Sequence, residues 1–295
     1  PKREAGWDYL YDSVIEDFAS LVATILHYEP AYLCIEPGES RDRIKGLIVS
    51  KRIPLFPLTM VEITGNGSWA RDFGPIAVQA DEALRLLDFR FNGRGNKYPS
   101  KLDNAVNQAL AQQQIIQPPE TINLVLEGGS LDSNGTGTLL TTTRCLMHPE
   151  RNPSLNQKDY ESTLRAHLGI ERIHWLENGW LAGDDTDGHI DMLARFAHAD
   201  TIIYVQCDNE DDEHYAALQA MEKELLALRQ SDGSSYNLVP LPLPDPCISA
   251  EGERLPASYV NFLIINEAVL CPIYDVQQDG EALTILSGLF SDRTI

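Results

Sequence analysis

The chain predicts an α/β fold assembled from short modules rather than one long parallel sheet. Short apolar runs of strand character alternate with amphipathic stretches along all 295 residues. The strand candidates are short and recur at semi-regular spacing, which suits an irregular, modular arrangement better than a doubly wound sheet. No stretch is long, flexible and polar enough to act as a linker, so residues 1–295 are expected to form a single domain.

The first helix is expected at 13-SVIEDFASLVATIL-26, where Val14, Phe18, Leu21 and Ile25 share one side and Ser13 with Glu16 has capping-box spacing. Strands follow at 31-AYLCI-35 and 53-IPLF-56, then at 75-PIAV-78 and 83-ALRLLDF-89. A second helix is expected at 101-KLDNAVNQALAQQQ-114, with Leu102, Val106 and Leu110 in step. Segment 122-INLVL-126 reads as a strand, 127-EGGSLDSNGTG-137 as a turn and 138-TLLTT-142 as a strand. A helix near 156-NQKDYESTLRAHL-168 is expected to be capped by Asn156. Strands are expected at 172-RIHWL-176, 188-GHIDMLARF-196 and 201-TIIYVQC-207. Segment 210-EDDEHYAALQAMEKELLALRQ-230 reads as the longest helix, with acid in its first turn. The proline-rich 240-PLPLPDP-246 reads as a loop, 262-FLII-265 and 269-VLCPIY-274 as adjacent strands, and 281-EALTILSGLF-290 as an amphipathic helix.

Composition narrows the function. With 43% apolar residues the chain can fill a core, and 23 Lys and Arg against 44 Asp and Glu give a formal charge of −21. So acidic a surface is a poor match for nucleic acid or an anionic membrane, and it favours small cations. The five cysteines, Cys34, Cys145, Cys207, Cys247 and Cys271, are odd in number and widely spaced, with no CxxC pair. This argues against a structural zinc site or a disulfide scaffold and fits a reducing cytoplasm. No signal-peptide pattern or membrane-length apolar run is read, and a chain starting at Pro1 without methionine is expected to lack material at its front.

Two segments concentrate chemistry. In 183-GDDTDGHIDML-193, four aspartates and His189 crowd together, as a site for a metal or a cationic substrate would require. On a strand, His189 and Asp191 would share a face with Arg195 while Ile190 faces the core, so the pair would suit proton transfer and cation binding. An exposed strand face with satisfied polar groups is the alternative. Asp184, Asp185, Asp187, His189 and Asp191 offer metal ligands, but the spacing is neither an EF-hand nor HExxH, and no metal is expected. In 68-SWARDFGP-75, Arg71 and Asp72 can pair internally and Trp69 can plug a core. Alternatively, Asp72 can take a guanidinium through charge-assisted hydrogen bonds, with Trp69 as a cation–π wall. Glu127 ends a strand just before Gly128 and Gly129, which permit close backbone approach. The run 90-RFNGRGNKY-98 matches no phosphate loop; its arginines could bracket an acidic partner or order a loop. Cys145 reads as a packed thiol, and His27, His148, His167, His174, His198 and His214 as structural or exposed.

The ordered set 68-SWARDFGP-75, 127-EGG-129, 151-RNP-153 and 183-GDDTDGHID-191, with 258-SYVNFLIINEAVLCPIY-274, resembles the agmatine deiminase and bacterial-type peptidylarginine deiminase family over nearly the whole chain. The resemblance implies a pentein fold: five αβ modules in a pseudo-fivefold, propeller-like ring, with the final module incomplete here. It implies hydrolysis of a guanidine through a covalent cysteine thiouronium, without metal or organic cofactor. Agmatine, giving N-carbamoylputrescine and ammonia, is the expected substrate, with free or peptidyl arginine as alternatives. Carried over by motif, His189 is the general acid/base, Asp72 and Asp191 hold the guanidinium, Trp69 lines the channel, and Glu127 contributes to substrate binding and supports the site, hydrogen-bonded to His189. Arg71 and Asp185 are expected to support these residues from behind. The nucleophile is expected beyond Ile295, and the family's tryptophan-rich strand is not found before Gly6. Gly67 stands where relatives carry an acidic residue. The expected partner is a small cationic guanidine, with homodimerisation left open; a non-catalytic guanidine-binding protein is the rival reading.

Overall fold

The computed structural model describes residues 10–80 and 83–295. The chain divides into two compact units, one running to Asn123 and including Ile264–Ala268, the other comprising Leu124–Leu263 and Val269–Ile295. The strands form five small sheets of two or three strands, never one continuous sheet.

In the first unit, α1 (Tyr11–Tyr28) and α2 (Arg41–Lys51) flank β1 (Ala31–Ile35). Helix α1 buries Ala19, Ala23 and Leu26, which pack with Ile48 of α2. The stripe expected from Val14, Phe18, Leu21 and Ile25 is therefore rotated, and Leu21 is exposed. The expected capping box is also unused, because the helix begins upstream of Ser13 with Leu10 at its N-cap and no side-chain bond there. Helix α2 has no apolar stripe to announce it; its signal is Ser40, whose side chain accepts from the Arg43 amide at 3.2 Å. Strand β2 (Leu58–Glu62) lies parallel to β1, Ala31 opposite Leu58. It replaces the strand expected at 53–56, where Pro54 and Pro57 remove ladder donors. There the Leu55 and Phe56 amides both donate to the Leu26 carbonyl at 2.9 Å, wrapping the segment over the end of α1.

Strands β3 (Ile76–Ala80) and β4 (Ala83–Arg90) pair antiparallel, and β5 (Glu120–Val125) completes their sheet. The helix expected at 101–114 is shorter: a 3-10 turn at Asp103–Ala105 runs into α3 (Val106–Gln112). Val61, Ile63, Phe73, Phe91, Val106 and Leu110 form the core here. Asn107 ties it together, donating to the Phe73 carbonyl and to Asp88, both at 2.8 Å.

The second unit repeats one motif. An antiparallel hairpin is followed by a helix and a strand parallel to the second hairpin strand, as the crossover rule requires. The first copy is β6 (Asp132–Ser133), β7 (Thr138–Thr142), α4 (Gln157–Leu168) and β8 (Arg172–Leu176). The second is β9 (Ala194–His198), β10 (Thr201–Gln206), α5 (Tyr215–Ala227) and β11 (Asn237–Pro242). Asn156 caps α4 through a complete capping box with Asp159. Helix α5 starts later than expected, so acids 210–213 lie outside its first turn. The expected loop at 240–246 begins as strand: β11 carries Pro240 and Pro242, tolerated because it is an edge strand. The Asn237 and Leu243 amides donate to Asp200 and Gln206 on the β10 side, at 2.9 and 2.8 Å. Strands β12 (Leu263–Ile265) and β13 (Ala268–Leu270) pair, and α6 (Asp279–Leu289) buries Ala282 and Leu286. The large core of this unit includes Leu140, Ile190, Val205, Met221, Leu241 and Leu286. Among the described residues no helix is long and apolar enough to cross a membrane.

Candidate active site

In the second unit, residues 124–126 lead Glu127 into the interior, where it caps a 3-10 turn at Gly128–Ser130. Its carboxylate is fully buried, a placement that needs compensating partners. Arg151 supplies them: its Nε donates to the two carboxylate oxygens at 3.1 and 2.9 Å, and its Nη2 donates to Oε2 at 2.8 Å. The remaining Arg151 donors reach the Thr186 carbonyl at 3.0 Å and Asp187 Oδ2 at 2.7 Å. Next to Arg151, Asn152 binds both the amide and the carbonyl of Val125 and donates to the Tyr160 hydroxyl at 2.6 Å. The 151-RNP-153 turn is thus fastened to the segment that leads into Glu127.

His189 arrives from the aspartate-rich loop, 2% exposed, with its Nε2 3.0 Å from Glu127 Oε2. It does not sit on a strand. It caps a 3-10 turn at Ile190–Met192, and β9 starts only at Ala194. The shared strand face expected for His189 and Asp191 is therefore absent, because successive residues of a 3-10 turn point about 120° apart. Asp191 is half-buried in that turn, and Arg195 instead pairs with Asp132 at 2.8 Å. The other aspartates build the loop. Asp184 accepts from the Thr186 amide and hydroxyl at 2.9 and 2.5 Å and from the Gly188 amide at 2.7 Å. Thr186 Oγ1 then accepts from the His189 amide at 3.0 Å, and Thr142 Oγ1 donates to the Gly188 carbonyl at 2.6 Å. Gly183 is obligatory: at φ +77°, an added Cβ would lie 2.3 Å from the Arg254 carbonyl oxygen. Asp185 stands half-buried in the same loop.

Cys145 completes the cluster, fully buried, its Sγ 3.8 Å from Glu127 Oε2. Burial pushes the thiol above its ordinary value, against the pull of His189 and Arg151. Burial pushes Glu127 the same way, yet the His189 hydrogen bond and the Arg151 charge outweigh it and hold the carboxyl below its ordinary value. Glu127, Cys145 and His189 have donor atoms within 4.8 Å of one another. They make a poor cation site, since the carboxylate is occupied by a guanidinium and the thiol keeps its proton. The polar chain Glu127–His189 is instead suited to holding one tautomer of the ring and moving a proton at its other nitrogen.

In the first unit, the turn Ala70–Phe73 buries Asp72, 6% exposed. Its oxygen Oδ2 takes Arg94 Nε at 3.1 Å and Nη2 at 2.8 Å. The Arg94 guanidinium also lies over the Trp69 ring, 5.1 Å from its centroid. Trp69 is 55% exposed, so it is no core plug, and Arg71 is exposed as well. Gly67 donates its amide to both oxygens of buried Asp103 at 3.1 Å, and the Asn66 amide donates to Asp103 Oδ1 at 2.6 Å, which fixes the segment leading to Trp69. Arg151, Asp103 and Arg94 were not among the residues the sequence singled out as site residues. Arg151 lay in 151-RNP-153 and Arg94 in 90-RFNGRGNKY-98, two turn signals that could have been followed, whereas Asp103 lay in a stretch read only as helix.

Residues 1–295 match the model of the Porphyromonas-type peptidyl-arginine deiminase family. The chain is 31% identical to an agmatine deiminase of Pseudomonas aeruginosa, with 100% of this chain and 84% of that protein covered. Among solved structures, a C. jejuni agmatine deiminase carrying a cysteine-to-serine change and solved with substrate bound matches with a TM-score of 0.90 at 34% identity, covering 100% of this chain and 84% of that one. A Porphyromonas gingivalis protein assigned as an arginine deiminase matches with a TM-score of 0.89 at 41% identity, covering 100% of this chain and 86% of that one. These matches bear out the α/β pentein fold.

Proposed function

The chain belongs to the Porphyromonas-type peptidyl-arginine deiminase family, and we propose that it hydrolyses a small guanidine, agmatine first, to a ureido product and ammonia. The observation that carries the reading is the buried Glu127–His189 hydrogen bond, clamped by Arg151, in a chain that matches agmatine deiminases over its full length. The net charge of −21 suits a dicationic substrate.

In the proposed reaction a cysteine thiolate attacks the guanidinium carbon. The carbon–nitrogen bond breaks, and His189 delivers the proton with which ammonia leaves. Water then attacks the thiouronium as His189 accepts its proton, and the thiolate departs to leave the ureido product. Glu127 keeps the imidazole oriented throughout. Asp72 in the first unit and Asp191 in the second are each proposed to accept guanidinium N–H groups, with Trp69 lining the approach. Arg71 and Asp185 are assigned supporting roles. Cys145 is the thiol nearest His189, but its full burial and raised pKa favour a packing role. The proposed nucleophile is therefore a cysteine other than Cys145.

The test is turnover. Full-length protein is incubated with agmatine, arginine and a short peptide ending in arginine, and ammonia and ureido product are both quantified. Agmatine is expected to turn over fastest. No ureido product from any of the three sinks the reading.

A further inference from the structure

The motif 90-RFNGRGNKY-98 finds no place in the proposed reaction, yet among the described residues it holds the longest consecutive run of left-handed backbone. Gly93, Arg94, Gly95 and Asn96 all have positive φ, at +73°, +59°, +76° and +62°. Two of these residues carry a Cβ, which the left-handed region disfavours. The turn is held regardless. Asn92 accepts from the Gly95 amide at 3.0 Å, and the Gly93 carbonyl accepts from the Lys97 and Tyr98 amides at 3.0 and 3.2 Å. Gly93 tolerates no side chain, because a Cβ there would sit 2.1 Å from the Tyr98 carbonyl oxygen.

Arg94 is 8% exposed, its guanidinium bonded to Asp72 and stacked on Trp69. A carboxylate that accepts N–H groups in plane and an aromatic face that receives the flat cation are the two halves of a guanidinium cradle. The cradle is already filled, and the occupant is a guanidinium of the chain itself. Strained backbone that delivers a buried side chain to such a cradle points to function. Trp69 is 55% exposed while Asp72 is 6% exposed, so the cradle meets solvent on its aromatic side.

We propose that Arg94 is an internal guanidinium ligand: it occupies the Asp72–Trp69 cradle, and an external guanidinium must displace it to bind there. This rests on the reading of Asp72 as a guanidinium-binding residue. The apparent affinity for any external guanidinium is then reduced by the fraction of molecules in which Arg94 is seated. Arg94 thereby selects for ligands that bring further contacts of their own, and it keeps a buried carboxylate paired when no ligand is present.

The test uses Arg94→Gly, which tolerates the left-handed backbone and leaves a guanidinium-sized space. Methylguanidinium and methylammonium are titrated into wild type and variant in full-length protein, by calorimetry and by melting temperature. The variant is expected to bind methylguanidinium at least ~10-fold tighter than wild type does, and ~10-fold tighter than it binds methylammonium, the scale of one charge-assisted bond. Its melting temperature should fall in buffer and recover with methylguanidinium alone. Equal binding by wild type and variant, or no discrimination between the two cations, overturns the proposal. If Arg94→Gly does not fold, Arg94→Lys serves: it keeps the charge, loses the planar fork, and should bind methylguanidinium tighter than wild type, whereas unchanged binding overturns the proposal. Because binding is read without turnover, selective binding in a protein that makes no ureido product would remove the proposed reaction and leave this inference standing.

Discussion

Arg151→Met is the substitution that asks most of the buried cluster. Both side chains of the Arg151–Glu127 pair are 0% exposed, so removing the cation leaves a carboxylate in the interior with His189 as its remaining charged-group contact among the bonds described. Breaking one side of a buried pair costs about 3–5 kcal/mol, because the surviving charge is uncompensated. Spread over a cooperative unit of this size, at about 2–4 °C per kcal/mol, that is a fall of roughly 6–20 °C in melting temperature. The sign of a second change makes the test sharp. Glu127→Gln should destabilise wild type, where it orphans Arg151, but stabilise the Arg151→Met background, where it removes the orphaned charge. Urea unfolding followed by circular dichroism on the four members of this cycle measures the coupling directly. Additive costs, or a loss below about 1 kcal/mol for Arg151→Met, would refute the reasoning, since a spent charge pair cannot be additive.

Other outcomes follow from single sites. His174 is held at a pKa of about 4, by burial first and by neighbouring Arg172 second, so it stays neutral in the fold while the unfolded chain titrates near 6.5. The unfolded state therefore binds more protons between those values, and stability should be full above pH ~6.5 and decline toward pH ~4, by about 1–2 kcal/mol after allowance for solvent screening. His174→Gln should flatten that part of the stability–pH curve, and an unchanged curve would exclude His174 as its source. Glu127 works with the opposite partner state: its lowered pKa gives stability that is present above the ordinary carboxylate range and lost as pH falls through its folded value. Gly183→Ala meets the Arg254 carbonyl and should cost about 2–4 kcal/mol, whereas Gly135→Ala, also left-handed at φ +72° but in open space, should cost only about 1 kcal/mol. Equal losses at the two glycines would show that contact with Arg254 contributes nothing. Cys145→Ala should keep turnover within about tenfold of wild type, and a loss beyond about 10³-fold would make that thiol the nucleophile.

How much the sequence disclosed depended on which physical signal each element carries. Helices α4 and α6 and strands β7, β8 and β10 could be read locally, because caps and apolar runs report directly on neighbours in the chain. Helix α2 could not, since its burial comes from a few contacts rather than an apolar stripe. The segment around His189 looked like a strand because its residues alternate in polarity. What shapes it is a lattice of side-chain-to-backbone bonds from Asp184 and Thr186, and alternation does not encode these. The Glu127–His189 hydrogen bond was legible only through family resemblance, as the two residues lie 62 positions apart. The Arg151 clamp was harder still: the motif was visible, but the buried charges that make it necessary appear only once the chain is folded. Asp72 illustrates the converse. Its neighbour Arg71 offered itself as a partner in the sequence, yet the guanidinium on its carboxylate comes from Arg94, 22 residues away.

The prolines of β11 have a consequence for how this molecule behaves in a crowded solution. Asn237 and Leu243 turn their amides toward β10, so along a strand the amides of even-numbered residues face the other way. Two of those positions, Pro240 and Pro242, have no N–H to offer. A second chain seeking to extend the β9–β10–β11 sheet would find acceptors there but gaps in the row of donors. The rim of the sheet is therefore a poor template for strand addition, and the residues that made this segment look like a loop act as a guard against aggregation.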